Sequence, residues 1–183
     1  MIKQVIMTLS PLEALNVLNG KASMLIRKRV PKDYVGFVWL VVSKKPRLSV
    51  VHDDEDLKTR YYINSTWGRS LNNDVIAKYW HEEITKMKFG RWVDQSEWNY
   101  MNYNYKYRDF LPKLCLTEKQ IDKYGDGKLL YAITLNKLEI LDTPLELNEF
   151  YKEEYAVMPN GIFPAYQQLT KAPPTYQYVY KEK

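Results

Sequence analysis

The residues with the clearest chemical potential in this 183-residue chain are its cations, and they are not evenly spread. Residues 1 to 47 hold nine Lys or Arg and two acids, Glu13 and Asp33; residues 48 to 183 hold 18 and 20. The first quarter therefore carries +7 and the remainder −2, within a net +5. Lys21, Arg27, Lys28, Arg29 and Lys32 form one cluster, and Lys44, Lys45 and Arg47 follow one strand later. A localised basic face is what a polyanion such as RNA or a nucleotide requires. Strand alternation separates Arg27 and Arg29 from Lys28 and puts Arg27 on the face of Leu25. There its planar fork has two uses: gripping a phosphate or base edge, or pairing with an internal carboxylate. The simpler reading of Lys44, Lys45 and Arg47 is a solvated loop.

Aromatic residues supply a second candidate. The stretch WNYMNYNYKYRDF places Tyr103, Tyr105 and Tyr107 on one side of a strand, with Asn102, Asn104 and Lys106 on the other. Such a row can stack unpaired bases, pack on the body of the fold, or meet a protein partner. Other chemistries have less support. His52 and His81 are far apart in sequence and lack cysteine partners, so no metal is expected despite Asp53, Asp54 and Asp56 beside His52. Cys115 sits between two leucines ahead of a helix start, where core packing is the simpler role. No Walker loop, GxGxxG, GxSxG or HExxH is present, and no cofactor is expected.

The elements that would position these groups follow from local pattern. Lys3 to Leu9 is an apolar, β-prone run. Ser10, Pro11 and Glu13 mark a helix start, Leu12, Leu15 and Leu18 give that helix an apolar face, and Gly20 ends it. Met24 to Ile26 begins a strand that runs out into Arg27, and GFVWLVVS over 36–43 is a strand buried on both faces. Residues 44–72 form an excursion with a hairpin (LSVVH…RYYINST), 74–87 is a strand, and 88–112 is a second excursion. Thr117 caps a short helix through Lys123. A turn at 124–128 leads to one or two strands over 129–141. A helix follows at 144–151, then irregular chain over 152–174, and TYQYVY closes the fold. About six strands and three short helices make an α+β domain spanning 1–183: a small, curled, mostly antiparallel barrel.

The order of these pieces resembles an ASCH domain of the PUA-like superfamily. SPLEALNVLNGK, MLIRKRVP and GFVWLVVS are similar to its opening, in which a helix leads into Gly-x-Lys-x-x-Glu-x-Arg. NNDVIAKYWHEEI, CLTEKQIDKYGDGKLLYAITLNKLEILDTPLELNEFY and KAPPTYQYVY resemble later blocks of phage and bacterial members. Together these cover about 110 residues and leave out both excursions. The resemblance implies a cleft beside the first helix that holds RNA or a nucleobase, with Gly20, Lys21, Ser23, Arg27, Lys28, Arg29 and Lys45 as candidate contacts. It also implies where catalysis would sit in the hydrolases of the group. There the motif's Lys and Glu positions are Ala22 and Leu25, which points away from an enzyme and leaves Lys21 with Ser23 as the candidate pair.

Three functions are therefore in play: an RNA- or nucleobase-binding module, a small hydrolase of modified nucleosides or RNA, and a phage protein that binds a host protein through its excursions. No run approaches the roughly 18 apolar residues of a spanning helix. The opening MIKQVIMTLSPLEAL is broken at Ser10 and Pro11 and has no small-residue cleavage site, so no signal peptide is expected. With a single cysteine, the expected setting is a reducing cytoplasm and not a membrane.

Overall fold

The computed structural model describes residues 2–31, 33–53, 58–82, 84–88 and 110–181. Thirteen strands and two helices make it up among these residues, with a helical turn at 110–114 and a 3-10 turn at Leu147–Glu149. The opening follows its local signals. Strand β1 (Ile2–Leu9) leads into helix α1 (Pro11–Leu18), and β2 (Met24–Arg27) and β3 (Gly36–Val42) follow. The 44–72 excursion is β4 (Leu48–Asp53) and β5 (Lys58–Ile63) as a hairpin, with β6 (Arg69–Ser70) on the other edge of β4. Next come β7 (Asp74–His81), β8 (Ile84–Lys88), α2 (Glu118–Gly125), β9 (Leu129–Thr134), β10 (Asn136–Glu146), β11 (Phe150–Met158), β12 (Gly161–Gln168) and β13 (Tyr176–Lys181).

A seven-stranded sheet runs β10-β7-β3-β1-β13-β11-β12; two three-stranded sheets run β2-β9-β8 and β5-β4-β6. Every pairing is antiparallel except β1 with β3, where Val5 lies opposite Val38. Alternation assigns each strand to two layers. Val5, Met7 and Leu9 join Val38, Leu40 and Val42 in the main core, with Ala14 and Val17 of α1 and Leu25 of β2. On the reverse, Ile6, Trp39 and Val41 meet Phe150 and Val179. Strand β3 is thus buried on both faces, as its unbroken apolar run requires. Met24 and Ile26 point away from Leu25 and pack with Leu114, Ile121 and Leu130 under α2.

Four local expectations need correction. The stripe that α1 buries is Pro11, Ala14 and Val17, while Leu12 is exposed and Leu15 and Leu18 are only partly covered. The smaller side chains let the helix sit close to the sheet. The 144–151 segment is no α-helix: β10 continues to Glu146, and Leu145 pairs across the ladder with Val75. Burial of Leu147 and Phe150 overrides the local helix signal there. The 152–174 stretch, expected to be irregular, holds a long hairpin, β11–β12, which adds two strands to the expected six. The 74–87 run, expected as one strand, is two, β7 and β8, which serve different sheets, whereas 129–141 is two strands, β9 and β10, one of the two forms expected. Among the described residues no helix is long and apolar enough to cross a membrane. The possible stacking residues Tyr103, Tyr105 and Tyr107 lie outside the described residues, as do Lys32 and most of the 88–112 excursion.

Candidate nucleobase-binding cleft

The start of α1 is fixed by a reciprocal cap. The Glu13 backbone N–H donates to Ser10 Oγ at 3.3 Å, and the Ser10 N–H donates to Glu13 Oε2 at 2.8 Å. The other carboxylate oxygen, Oε1, accepts from Arg27 at 2.5 Å. The Arg27 guanidinium also donates to the carbonyls of Ile26 at 2.7 Å and Thr8 at 2.9 Å. Arg27 is only 5% exposed. Strand β2 has no ladder with β1, so this one side chain links β2 to both β1 and α1. Of the two uses read from sequence, the internal ion pair is what the geometry displays. Burial pushes the nearby Tyr79 hydroxyl well above its ordinary pKa, with the Arg27 charge acting in the opposite direction.

Above this pair opens a cleft of about 400 Å³, the size range of small-ligand sites. Its lining comes from β1 and α1 with its cap (Thr8, Ser10, Leu12, Glu13, Asn16), from β2 (Ile26, Arg27), from α2 and the segment before it (Leu114, Leu116, Gln120, Tyr124), and from Ser43, Pro174 and Thr175. Thr8 holds the closing segment in place: its hydroxyl donates to the Pro173 carbonyl at 2.5 Å and its N–H to Thr175 at 2.8 Å. Gln120 is anchored through its oxygen, which accepts from the Thr117 N–H at 2.8 Å and hydroxyl at 3.0 Å. Its amide nitrogen is left as a donor. The exposed Tyr124 ring forms one lip, with the Lys28 ammonium 5.1 Å from its centroid. Ser43 forms another and leads directly to the exposed Lys44 and Lys45.

The sequence-predicted residues divide by position. Arg27 lines the cleft floor, Lys28 reaches its lip, and Lys45 follows Ser43 at its end. Arg29 is exposed two residues beyond Arg27. Gly20 (φ +65°), Lys21 and Ser23 lie past the C-terminus of α1 and are not among the lining residues. The Ser23 backbone is occupied, donating to Lys113 and accepting from Leu135. Ala22 is buried, and Leu25 packs into the main core without touching the cleft. His81 is buried and His52 is exposed on β4. Sequence reasoning missed Asn16, Gln120, Tyr124 and Thr175. The available signal was helical spacing: Asn16 stands three residues after Glu13, and Tyr124 four after Gln120, so each pair shares a face.

No family model and no curated protein matches this sequence. Solved structures do. An ASCH protein from Zymomonas mobilis superposes with a TM-score of 0.50 at 16% identity, over 79% of this chain and 73% of that one. The chain has the ASCH fold. Two single-substitution variants of the same protein, one Tyr to Phe and one Ser to Ala, align at TM-scores of 0.49, again at 16% identity and 79% of this chain, covering 76% and 74% of theirs. At this identity the likeness speaks for the α+β fold alone, and the chemistry must be argued from the site.

Proposed function

We propose that this ASCH-fold chain is a binding module that takes an unstacked nucleobase of RNA, or a free nucleotide, into the cleft between α1 and α2. The observation that carries the reading is the chemistry of the lining. Ile26, Leu114 and Leu116 offer apolar walls to the faces of a planar ring, and Tyr124 offers a stacking surface at the mouth. The amides of Asn16, half-buried, and Gln120, exposed, line the same cleft and present donors and an acceptor to a base edge. The Arg27 charge is already met by Glu13, so the floor is close to neutral and the positive charge sits at the rim. Lys28, Arg29, Lys44 and Lys45 then take the phosphates. Gly20, Lys21 and Ser23 are outside this pocket, and no catalytic step is assigned to them.

The test is equilibrium titration with single-stranded RNA, duplex RNA and duplex DNA from about 50 to about 200 mM salt. The reading expects preference for single-stranded RNA and affinity that weakens with salt; absence of binding at the low-salt end would sink it. A second reading, a host-protein partner on the 44–72 excursion, is favoured by Trp67, which is 78% exposed beside Arg47 and Gly68. Co-purification of a single protein, lost in Trp67→Ala, would support it over RNA.

A further inference from the structure

The two amides of the cleft differ in how firmly they are held. Gln120 is the third residue of α2 and belongs to the capping box that starts the helix. Its Oε1 accepts from the Thr117 backbone N–H at 2.8 Å and from the Thr117 hydroxyl at 3.0 Å. Its own backbone N–H donates back to Thr117 Oγ1 at 3.3 Å. Turning the side-chain amide over would set its NH2 group against a backbone N–H, donor against donor, and leave both unpaired. The cap therefore fixes which end of the amide is free. The oxygen stays at the helix start, and Nε2 with its two hydrogens is what Gln120 has to offer the cleft it lines. Among the described residues no such bond holds the Asn16 side chain, so its amide can turn to present donor or acceptor.

A fixed donor sorts bases by what they place opposite it. The two RNA pyrimidines have the same size and differ on their pairing edge. Uracil carries a carbonyl on each side of its ring N–H, so either orientation of the ring brings an acceptor to Nε2. Cytosine replaces one of those carbonyls by an exocyclic amine, and the orientation that turns the amine toward Nε2 sets donor against donor. Asn16 adapts to either base and adds no preference of its own. Gln120 is exposed, so water competes for Nε2 and the discrimination is that of a solvated hydrogen bond.

We propose that Gln120 is a specificity-determining residue of the cleft and that the cleft prefers uracil to cytosine. The inference rests on the nucleobase reading and adds the base. The test titrates oligo(U) and oligo(C) of equal length, at one fixed salt concentration, against the wild-type chain, Gln120→Glu and Tyr124→Ala. Glu serves as well as Gln at the third position of a capping box, so Gln120→Glu keeps the start of α2 while replacing the free donor by an acceptor. The wild type is expected to favour oligo(U) by about threefold to tenfold, and Gln120→Glu to lose that preference or turn it toward oligo(C). The added negative charge weakens both oligomers alike, so the ratio is the readout, and a residue that only capped α2 would leave it unchanged. Should Gln120→Glu fail to fold, Gln120→Met removes the donor without adding charge and decides by the same ratio. A wild type without preference for oligo(U), or a folded variant that keeps the wild-type ratio, overturns the proposal; loss of both oligomers in Tyr124→Ala then leaves the nucleobase reading standing. If neither oligomer binds the wild type, both fall.

Discussion

Arg27 and Glu13 meet at 2.5 Å beneath the cleft, and the second oxygen of the same carboxylate closes the cap of α1. One ion pair thus sets the helix start, ties β2 to β1 through the Thr8 carbonyl, and neutralises the cleft floor. Helix position and the link between β2 and β1 are coupled through two side chains.

Breaking this pair will cost stability before it costs binding. Removing one partner of a buried pair strands the other; with Glu13 partly open to solvent, Arg27→Met should cost about 2–4 kcal/mol. Glu13→Gln keeps a cap acceptor and should cost roughly 1–2 kcal/mol. Urea denaturation measures both, and an Arg27→Met loss below about 0.5 kcal/mol, the scale of an exposed pair, would contradict the account.

Two neighbours, His81 and Tyr79, contribute to the pH dependence of the folded state at its acid and alkaline ends. Burial holds the His81 imidazole below its ordinary pKa, with Nδ1 3.0 Å from the Tyr79 hydroxyl and Nε2 buried without a partner among the described residues. The unfolded chain takes up that proton near pH 6.5, so the contribution is present above about pH 6.5 and lost as pH falls. Tyr79 acts at the other end. Its folded pKa is raised, so its contribution is present below about pH 10 and lost as pH rises further. Denaturation midpoints across pH should show both limbs, and His81→Phe should flatten the acid one. An acid limb unchanged in that variant would assign it elsewhere.

Two glycines with left-handed backbone should respond differently to alanine. At Gly68 (φ +78°) a Cβ would stand 2.3 Å from the Val50 carbonyl oxygen, a backbone atom with no freedom to retreat. Gly68→Ala should cost about 2–4 kcal/mol. At Gly20 (φ +65°) a Cβ meets nothing within 4 Å, so only the conformational penalty of about 1 kcal/mol remains. Equal losses in thermal denaturation would contradict this reading.

Much of this was legible in the sequence where local chemistry and burial agree. Ser10, Pro11 and Glu13 encode the start of α1, and Thr117 that of α2, because capping is local. The run GFVWLVVS encodes a strand covered on both sides because nothing else can bury it. The 144–151 segment was misread because its strand character depends on Val75, some 70 residues earlier. The α1 stripe was misplaced because large leucines outweigh Ala14 in a pattern, although Ala14 is what fits the sheet. In the site, Arg27 was visible by type, and its partner Glu13 was visible only as a cap. Asn16, Gln120 and Tyr124 were hidden because they converge from two helices about 100 residues apart.

Lys21 and Ser23 stand outside the cleft, and their removal should leave it intact. Lys21→Ala and Ser23→Ala are expected to bind RNA within about twofold of wild type, since one peripheral phosphate contact adds little. A tenfold loss in either variant, measured at fixed salt, would move the site toward the end of α1.

RNA affinity in Tyr124→Ala and Lys28→Ala, measured as a function of salt, decides whether the cleft between α1 and α2 holds the RNA. Arg27→Ala is the wrong probe, because its fold loss and its binding loss coincide. Tyr124→Ala should weaken single-stranded RNA by about 1–3 kcal/mol, roughly 5- to 150-fold, with the salt slope unchanged. Lys28→Ala should weaken it less and lower the slope by about one. Wild-type affinity in both variants would show that the cleft between α1 and α2 does not hold the RNA.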